Sequence, residues 1–111
     1  MNKTADMWVN IWYLNITNPD ILNKIIEEKL KFSGFTIVGE KGYHFYPEGY
    51  TKTFLLSESH CALHTWPKIN RTWLELASCN QDKLLKFTSE VASIFNVFPV
   101  NKIETKYNEN V

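Results

Sequence analysis

Cysteine is scarce in this sequence. Cys61 and Cys79 are the only two, too few for a disulfide framework, and they form no C-x-x-C pair. A reducing, cytoplasmic setting is therefore expected. An excess of one charge is also lacking, since 12 Lys and Arg balance 12 Asp and Glu. That argues against a nucleic-acid partner, whose binding would rest on many cationic contacts to phosphate. No apolar run reaches the roughly 18 residues that a membrane span needs, so no membrane partner is expected. The start, Met1-Asn2-Lys3-Thr4, is polar and lacks a signal-peptide pattern. Asn-x-Thr triplets begin at Asn2, Asn15 and Asn70; without a secretory signal they read as chance. There is no internal repeat, linker or low-complexity stretch.

What the chain does have is apolar and aromatic content, 44% and 14% of 111 residues. This supports one compact domain over residues 1–111 with a modest core, which oligomer formation would extend. Met7 to Leu14 reads as a strand, with Val9, Ile11 and Tyr13 on one face and Trp8, Trp12 and Leu14 on the other. Both faces are apolar, so cover is expected on both sides. Asn18-Pro19 has the form of a helix cap followed by proline at the first helical position. Ile21, Leu22, Ile25, Ile26 and Leu30 follow at helical spacing, and Gly34 is a natural stop. Phe35 to Val38 reads as a short strand, Gly39 to Gly42 as a turn, and Tyr43 to Tyr46 as extended chain. Tyr50 to Trp66 is the most strand-like stretch, and Thr72 to Ser78 is another strand. Asp82 is positioned to cap a second helix carrying Leu84, Phe87, Val91 and Ile94 on one face. The tail alternates weakly at Ile103, Thr105 and Tyr107. The element order predicts an α+β two-layer sandwich, an antiparallel sheet of about four strands with two helices on one face.

The stretch from Leu55 to Pro67 holds two serines, Ser57 and Ser59, with Glu58, His60, Cys61 and His64. Polar chemistry set into an otherwise apolar strand pattern is a mark of function. The blander reading is that such Ser and His side chains satisfy neighbouring backbone groups. A metal site from His60, His64, Cys61 and Cys79 is a second reading, but the usual zinc-ligand spacings are missing, and no metal is expected. Ser59 and His64 are five apart, so a regular strand puts them on opposite faces. Joint action within one strand requires a bend or bulge between them.

Glu58-Ser59-His60 and His64-Thr65-Trp66-Pro67, with His44-x-x-Pro47 around Phe45, Gly49-x-Thr51 and Cys79 downstream, together resemble the bacterial and archaeal S-adenosylmethionine decarboxylases. The resemblance spans about residues 42 to 80. It implies a proenzyme that cuts itself between Glu58 and Ser59 into chains 1–58 and 59–111. Ser59 becomes a covalent pyruvoyl group, which takes the part pyridoxal phosphate plays elsewhere by forming a Schiff base with the substrate amine. The resemblance further implies that His64 serves processing, that Thr51 assists it, and that Cys79 returns a proton to the product carbanion. Phe45 and Trp66 match aromatics that hold the adenine ring, whereas His44 reads as structural. Glu75 stands where the family has an acidic residue of no evident role. The implied reaction yields the aminopropyl donor for spermidine, and the implied assembly is a homodimer with sites at the subunit interface.

Two positions depart from the family pattern. Lys68 replaces the glutamate of H-T-W-P-E that would hold the ribose hydroxyls, and Asn80 replaces the glycine after Cys79. Glu48 and Glu75 are the acids that could compensate. The same mechanism acting on ornithine or arginine is the rival enzyme reading, and a non-catalytic binding module is the third.

Overall fold

The computed structural model describes residues 6–94 and 97–99. Six strands form one antiparallel sheet: β1 (Trp8–Leu14), β2 (Ile37–His44), β3 (Tyr50–Leu56), β4 (Ser59–Trp66), β5 (Arg71–Ser78) and β6 (Val97–Pro99), in the order β2-β3-β4-β5-β1-β6. Two helices, α1 (Pro19–Phe32) and α2 (Gln81–Ile94), cover one face. The expected two-layer α+β sandwich is present, with six strands in place of about four. The alternation at Ile103, Thr105 and Tyr107 lies outside the described residues.

The two extra strands are β6 and the second arm of a hairpin within Tyr50–Trp66, and β2 is longer than expected. Gly39 to Gly42, expected as a turn, runs inside β2. This edge strand has a bulge between Ile37 and Gly39, a feature that edges tolerate and use. Gly42 is required there for space, because a Cβ would lie 2.5 Å from the Tyr50 hydroxyl. The stretch Tyr50–Trp66 folds back at Ser57-Glu58 into the hairpin β3–β4, pairing Leu56 with Ser59.

Both helices form as their sequences dictate. Asn18 Oδ1 accepts from the Ile21 backbone N–H at 3.0 Å, and Pro19 follows at the first helical position. Ser33 ends α1, and Gly34 leaves it at a φ of 98°, a region that costs glycine little. The cap of α2 is Asn80 and not the expected Asp82: Asn80 Oδ1 accepts from Lys83 N at 3.0 Å. The position preceding the helix is the one that can reach a first-turn N–H, and Asp82 already lies inside it. Leu22, Ile26 and Leu30 of α1 and Leu84, Phe87 and Val91 of α2 are buried against Trp12, Leu14, Phe54, Cys61, Leu63, Leu74 and Leu76 of the sheet. A Lys29–Glu90 ion pair at 3.1 Å links the helices.

Strand parity fixes the other face. Register places Val9, Ile11, Tyr13, Thr51, Leu55, His60, Ala62, His64, Trp66, Trp73 and Glu75 on it. The helices cover only the opposite face of β1, so the second cover expected for that strand does not come from them. Val9, Leu55 and Trp66 remain 45%, 56% and 47% exposed.

Candidate active site

The central hairpin carries chemistry at both ends. At its tight turn, Glu58 has a φ of 67°, the left-handed region that L-residues other than Asn and Asp seldom occupy. The strain therefore lies at the residue that supplies the carbonyl to Ser59. Ser57 N–H donates to the Thr36 carbonyl at 3.0 Å, tying the turn to the chain before β2. Ser59 opens β4 and pairs across the sheet with Ser78 at the end of β5. This register brings the next residue, Cys79, to the turn. Its Sγ lies 3.3 Å from the Glu58 carbonyl oxygen and 3.6 Å from Glu58 Oε2. The thiol is exposed, and a hydrogen bond to that carbonyl makes its carbon more electrophilic.

Ser59 itself is buried, and its hydroxyl donates to Ser78 Oγ at 2.8 Å. Ser78 is completely buried. Sequence reasoning passed over it as the last residue of a strand. The signal available was its position directly before Cys79, on a strand whose pairing partner was not known.

At the other end of β3–β4, Thr51 and His64 are cross-strand neighbours, with Thr51 Oγ1 and His64 Nδ1 3.0 Å apart. The His64 and Trp66 rings follow each other along one face, centroids 6.4 Å apart. Beyond them the chain folds around two adjoining cavities. One, of about 250 Å³, is lined by Pro47, Glu48, Thr65, Trp66, Pro67 and Lys68, among others. The second, of about 390 Å³, includes His44, Phe45, Glu48, Gly49 and Tyr50. Trp66 and Lys68 thus line one cavity and Phe45 the other, with the Thr51–His64 pair next to Trp66 along the strand. Glu48 is the carboxylate that lines both cavities. Glu75 is elsewhere, in mid-strand between Ile11 and Ala62.

Ser59 and His64 are not brought together. β4 pairs with β3 and β5 without a break in register, so the bend or bulge expected between them is absent. Five residues of regular strand separate them by about 16 Å and put them on opposite faces. The backbone distortion is at Glu58 instead, where a two-residue turn has to reverse the chain.

The alternative metal set does not converge either. Cys61 lies in the helix-side core, whereas His60 and His64 occupy the opposite face. Among the described residues no group of three or more His, Cys, Asp or Glu side chains could hold a metal ion. Burial, with a smaller contribution from the Glu75 charge, pushes the Cys61 thiol far up. It stays protonated and is not a ready ligand. No helix among the described residues is long and apolar enough to cross a membrane.

Comparison with known proteins gives a consistent result. The S-adenosylmethionine decarboxylase family matches residues 5–106. The chain is 31% identical over 83 residues to an S-adenosylmethionine decarboxylase proenzyme of Archaeoglobus fulgidus, covering 75% of this chain and 69% of that protein. It is 30% identical over 102 residues to one of Thermosipho africanus, covering 83% and 78%. In fold it is similar to the crystal structure of the adenosylmethionine decarboxylase from Aquifex aeolicus, with a TM-score of 0.68, 19% identity, and coverage of 93% and 97%. With the match running through both ends of the central hairpin, the chain belongs to the S-adenosylmethionine decarboxylase family.

Proposed function

We propose that this chain is a proenzyme that cleaves itself between Glu58 and Ser59 and then decarboxylates S-adenosylmethionine, yielding the aminopropyl donor for spermidine synthesis. The observation that carries this reading is the turn: a strained Glu58, its carbonyl 3.3 Å from the Cys79 thiol, and a hydroxyl on the next residue.

Cleavage begins with attack of Ser59 Oγ on the Glu58 carbonyl carbon. The O–C bond forms, the C–N bond breaks, and the hydroxyl proton ends on the freed amine. Removal of the residue-59 Cα proton by a base then expels the Glu58 carboxylate, ending the chain 1–58. The unsaturated residue left at position 59 tautomerises, takes up water and loses ammonia, which leaves a pyruvoyl group heading the chain 59–111. His64 is the base, and Thr51, hydrogen-bonded to its Nδ1, fixes the ring so that Nε2 faces outward.

The residues at the turn fit such a group, because the position is buried and bordered by a thiol. A pyruvoyl group there would supply a ketone conjugated to an amide, an electron sink for the substrate's breaking carbon–carboxylate bond. Cys79 Sγ is the acid that returns a proton to the substrate carbon from which the carboxylate leaves. Phe45 and Trp66 hold the adenine by stacking, and Glu48 accepts from the ribose hydroxyls in place of the residue that Lys68 displaces.

A base about 16 Å from its target points to a second copy of the chain. Two copies related by a two-fold axis, stacked through their open sheet faces, run their hairpins in opposite directions. His64 of each copy then approaches the turn of the other. The exposed apolar Val9, Leu55 and Trp66 on that face support this homodimer.

Ornithine or arginine is the rival substrate because Lys68 stands where the ribose-binding glutamate is expected, although the Lys68 ammonium, on the cavity that also holds Trp66, attracts neither of these basic amino acids. Carbon dioxide release from S-adenosylmethionine, ornithine and arginine tests the choice. S-adenosylmethionine is expected to be turned over and Ser59→Ala to be inactive. An exposed ammonium about 4 Å from a sulfonium costs about 1 kcal/mol in water and a carboxylate there gains as much, so Lys68→Glu should raise kcat/KM roughly thirtyfold. Turnover of ornithine or arginine alone would reverse the substrate assignment.

A further inference from the structure

The hydrogens around Ser59 can be placed by counting. A serine hydroxyl has one hydrogen to give and two lone pairs with which to accept. Ser78 Oγ accepts from the Asn80 backbone N–H at 2.9 Å and donates to the Asn80 carbonyl at 3.2 Å. Its remaining lone pair faces Ser59 Oγ, 2.8 Å away. The reverse assignment would take the hydrogen of Ser78 from Asn80 and leave the buried Ser59 hydrogen without an acceptor, a costly arrangement. The Ser59 hydrogen is therefore directed at Ser78. Both lone pairs of Ser59 Oγ are left without a hydrogen-bond donor among the described residues.

From this we infer that Ser78, held by Asn80, is the positioning residue for self-cleavage. It turns the hydroxyl of Ser59 so that the proton points into the protein and the nucleophilic electron pairs are free to meet the Glu58 carbonyl. The inference rests on the self-cleavage reading and adds to it the group that orients the nucleophile. Ser78 touches no substrate and forms no covalent bond. As Ser59 Oγ bonds to the Glu58 carbon and the Glu58–Ser59 C–N bond breaks, the hydroxyl proton, held toward Ser78 until attack, passes to the residue-59 nitrogen as it leaves as the amine. Asn80 takes part through its backbone N–H and carbonyl, so its side chain is free to cap α2. The departure from glycine at this position leaves the contact between the two hydroxyls intact.

The test follows the conversion of freshly translated full-length chain into its two fragments over time, by gel and intact mass. Ser78→Ala should slow cleavage by about ten- to a hundredfold, the range that misplacing a reacting atom produces. Ser78→Thr keeps the hydroxyl and should cleave near the wild-type rate. Ser78→Cys keeps the shape with a weak acceptor and should resemble Ser78→Ala. Melting temperature and circular dichroism identify any variant that fails to fold, and the Thr–Cys pair carries the comparison if Ser78→Ala does. Equal cleavage rates in folded Ser78→Ala or Ser78→Cys and wild type would overturn the positioning role while leaving self-cleavage standing. A wild-type chain that never cleaves removes the underlying reading itself.

Discussion

Glu58 takes a left-handed backbone, φ 67°, that a glycine would adopt freely. Holding another residue there costs roughly 1–2 kcal/mol. A carboxylate residue under strain, with a thiol on its carbonyl, needs a reason beyond turn formation, and activation of the following bond supplies one. The two cysteines divide sharply at this scale. Cys61 is fully buried with its thiol pushed up, while Cys79 is exposed. Alkylation of the native protein should therefore modify Cys79 and spare Cys61, as peptide mapping would reveal. Cys79→Ala should still cleave, though more slowly without the hydrogen bond on the Glu58 carbonyl, and should lose about 10²- to 10⁴-fold in decarboxylation, the usual effect of deleting a placed proton donor. Full turnover by Cys79→Ala would make it an ordinary strand-end residue. Cys61 also sets a sign for stability. Above its ordinary value of 9.0 the unfolded thiol loses a proton that the native one keeps, so its contribution falls as pH rises. The roles proposed for Ser59, His64 and Cys79 could be suggested from sequence because the resemblance to the family assigns them at matching positions. Ser78 could not, since its meaning arises only from a cross-strand neighbour.

At the scale of elements, the hairpin β3–β4 shows where sequence reading works and where it stops. Parity alone correctly put Ser59 and His64 on opposite faces, because a two-residue period is a property of every regular strand. The turn at Ser57-Glu58 was not visible. It has none of the Asn, Gly or Pro that announce a hairpin, so Tyr50 to Trp66 read as one extended stretch. The opposite error occurred at Gly39 to Gly42, where glycines that signal turns are instead spaced along an edge strand, one of them making room for Tyr50. Both helices were readable, since cap and periodic apolar face lie close together in sequence. The exception is the start of α2, where Asn80 precedes the acid that looked like the cap.

For the whole molecule, the decisive observation is that the residues of the proposed site lie at two separate ends of one hairpin. The turn with Glu58, Ser59 and Cys79 lies at one end of the hairpin, and Thr51, His64 and the aromatic cavity at the other. Folding cannot join them within a chain whose central strand is regular, and an open apolar face invites a second copy. This leads to a complementation test. His64→Ala lacks the base, and Ser59→Ala lacks the nucleophile, so each alone should remain uncut. When the two variants are refolded together, a mixed dimer pairs the intact Ser59 of one chain with the intact His64 of the other. About half of the His64→Ala chains should then cleave, as random pairing dictates. Failure to rescue cleavage in verified mixed dimers would place His64 and Ser59 in separate processes. Sequence offered the residues of the proposed site and their strand parity, but the bend expected between Ser59 and His64 is ruled out only by the unbroken register of β4 with β3 and β5.

The central claim, that Glu58–Ser59 is a bond the protein cuts for itself, is tested most directly by intact-mass measurement of purified protein after prolonged incubation. The account predicts two chains, residues 1–58 and 59–111, the second blocked to N-terminal sequencing, with Ser59→Ala remaining whole. A folded wild-type protein that persists as a single 111-residue chain would contradict it.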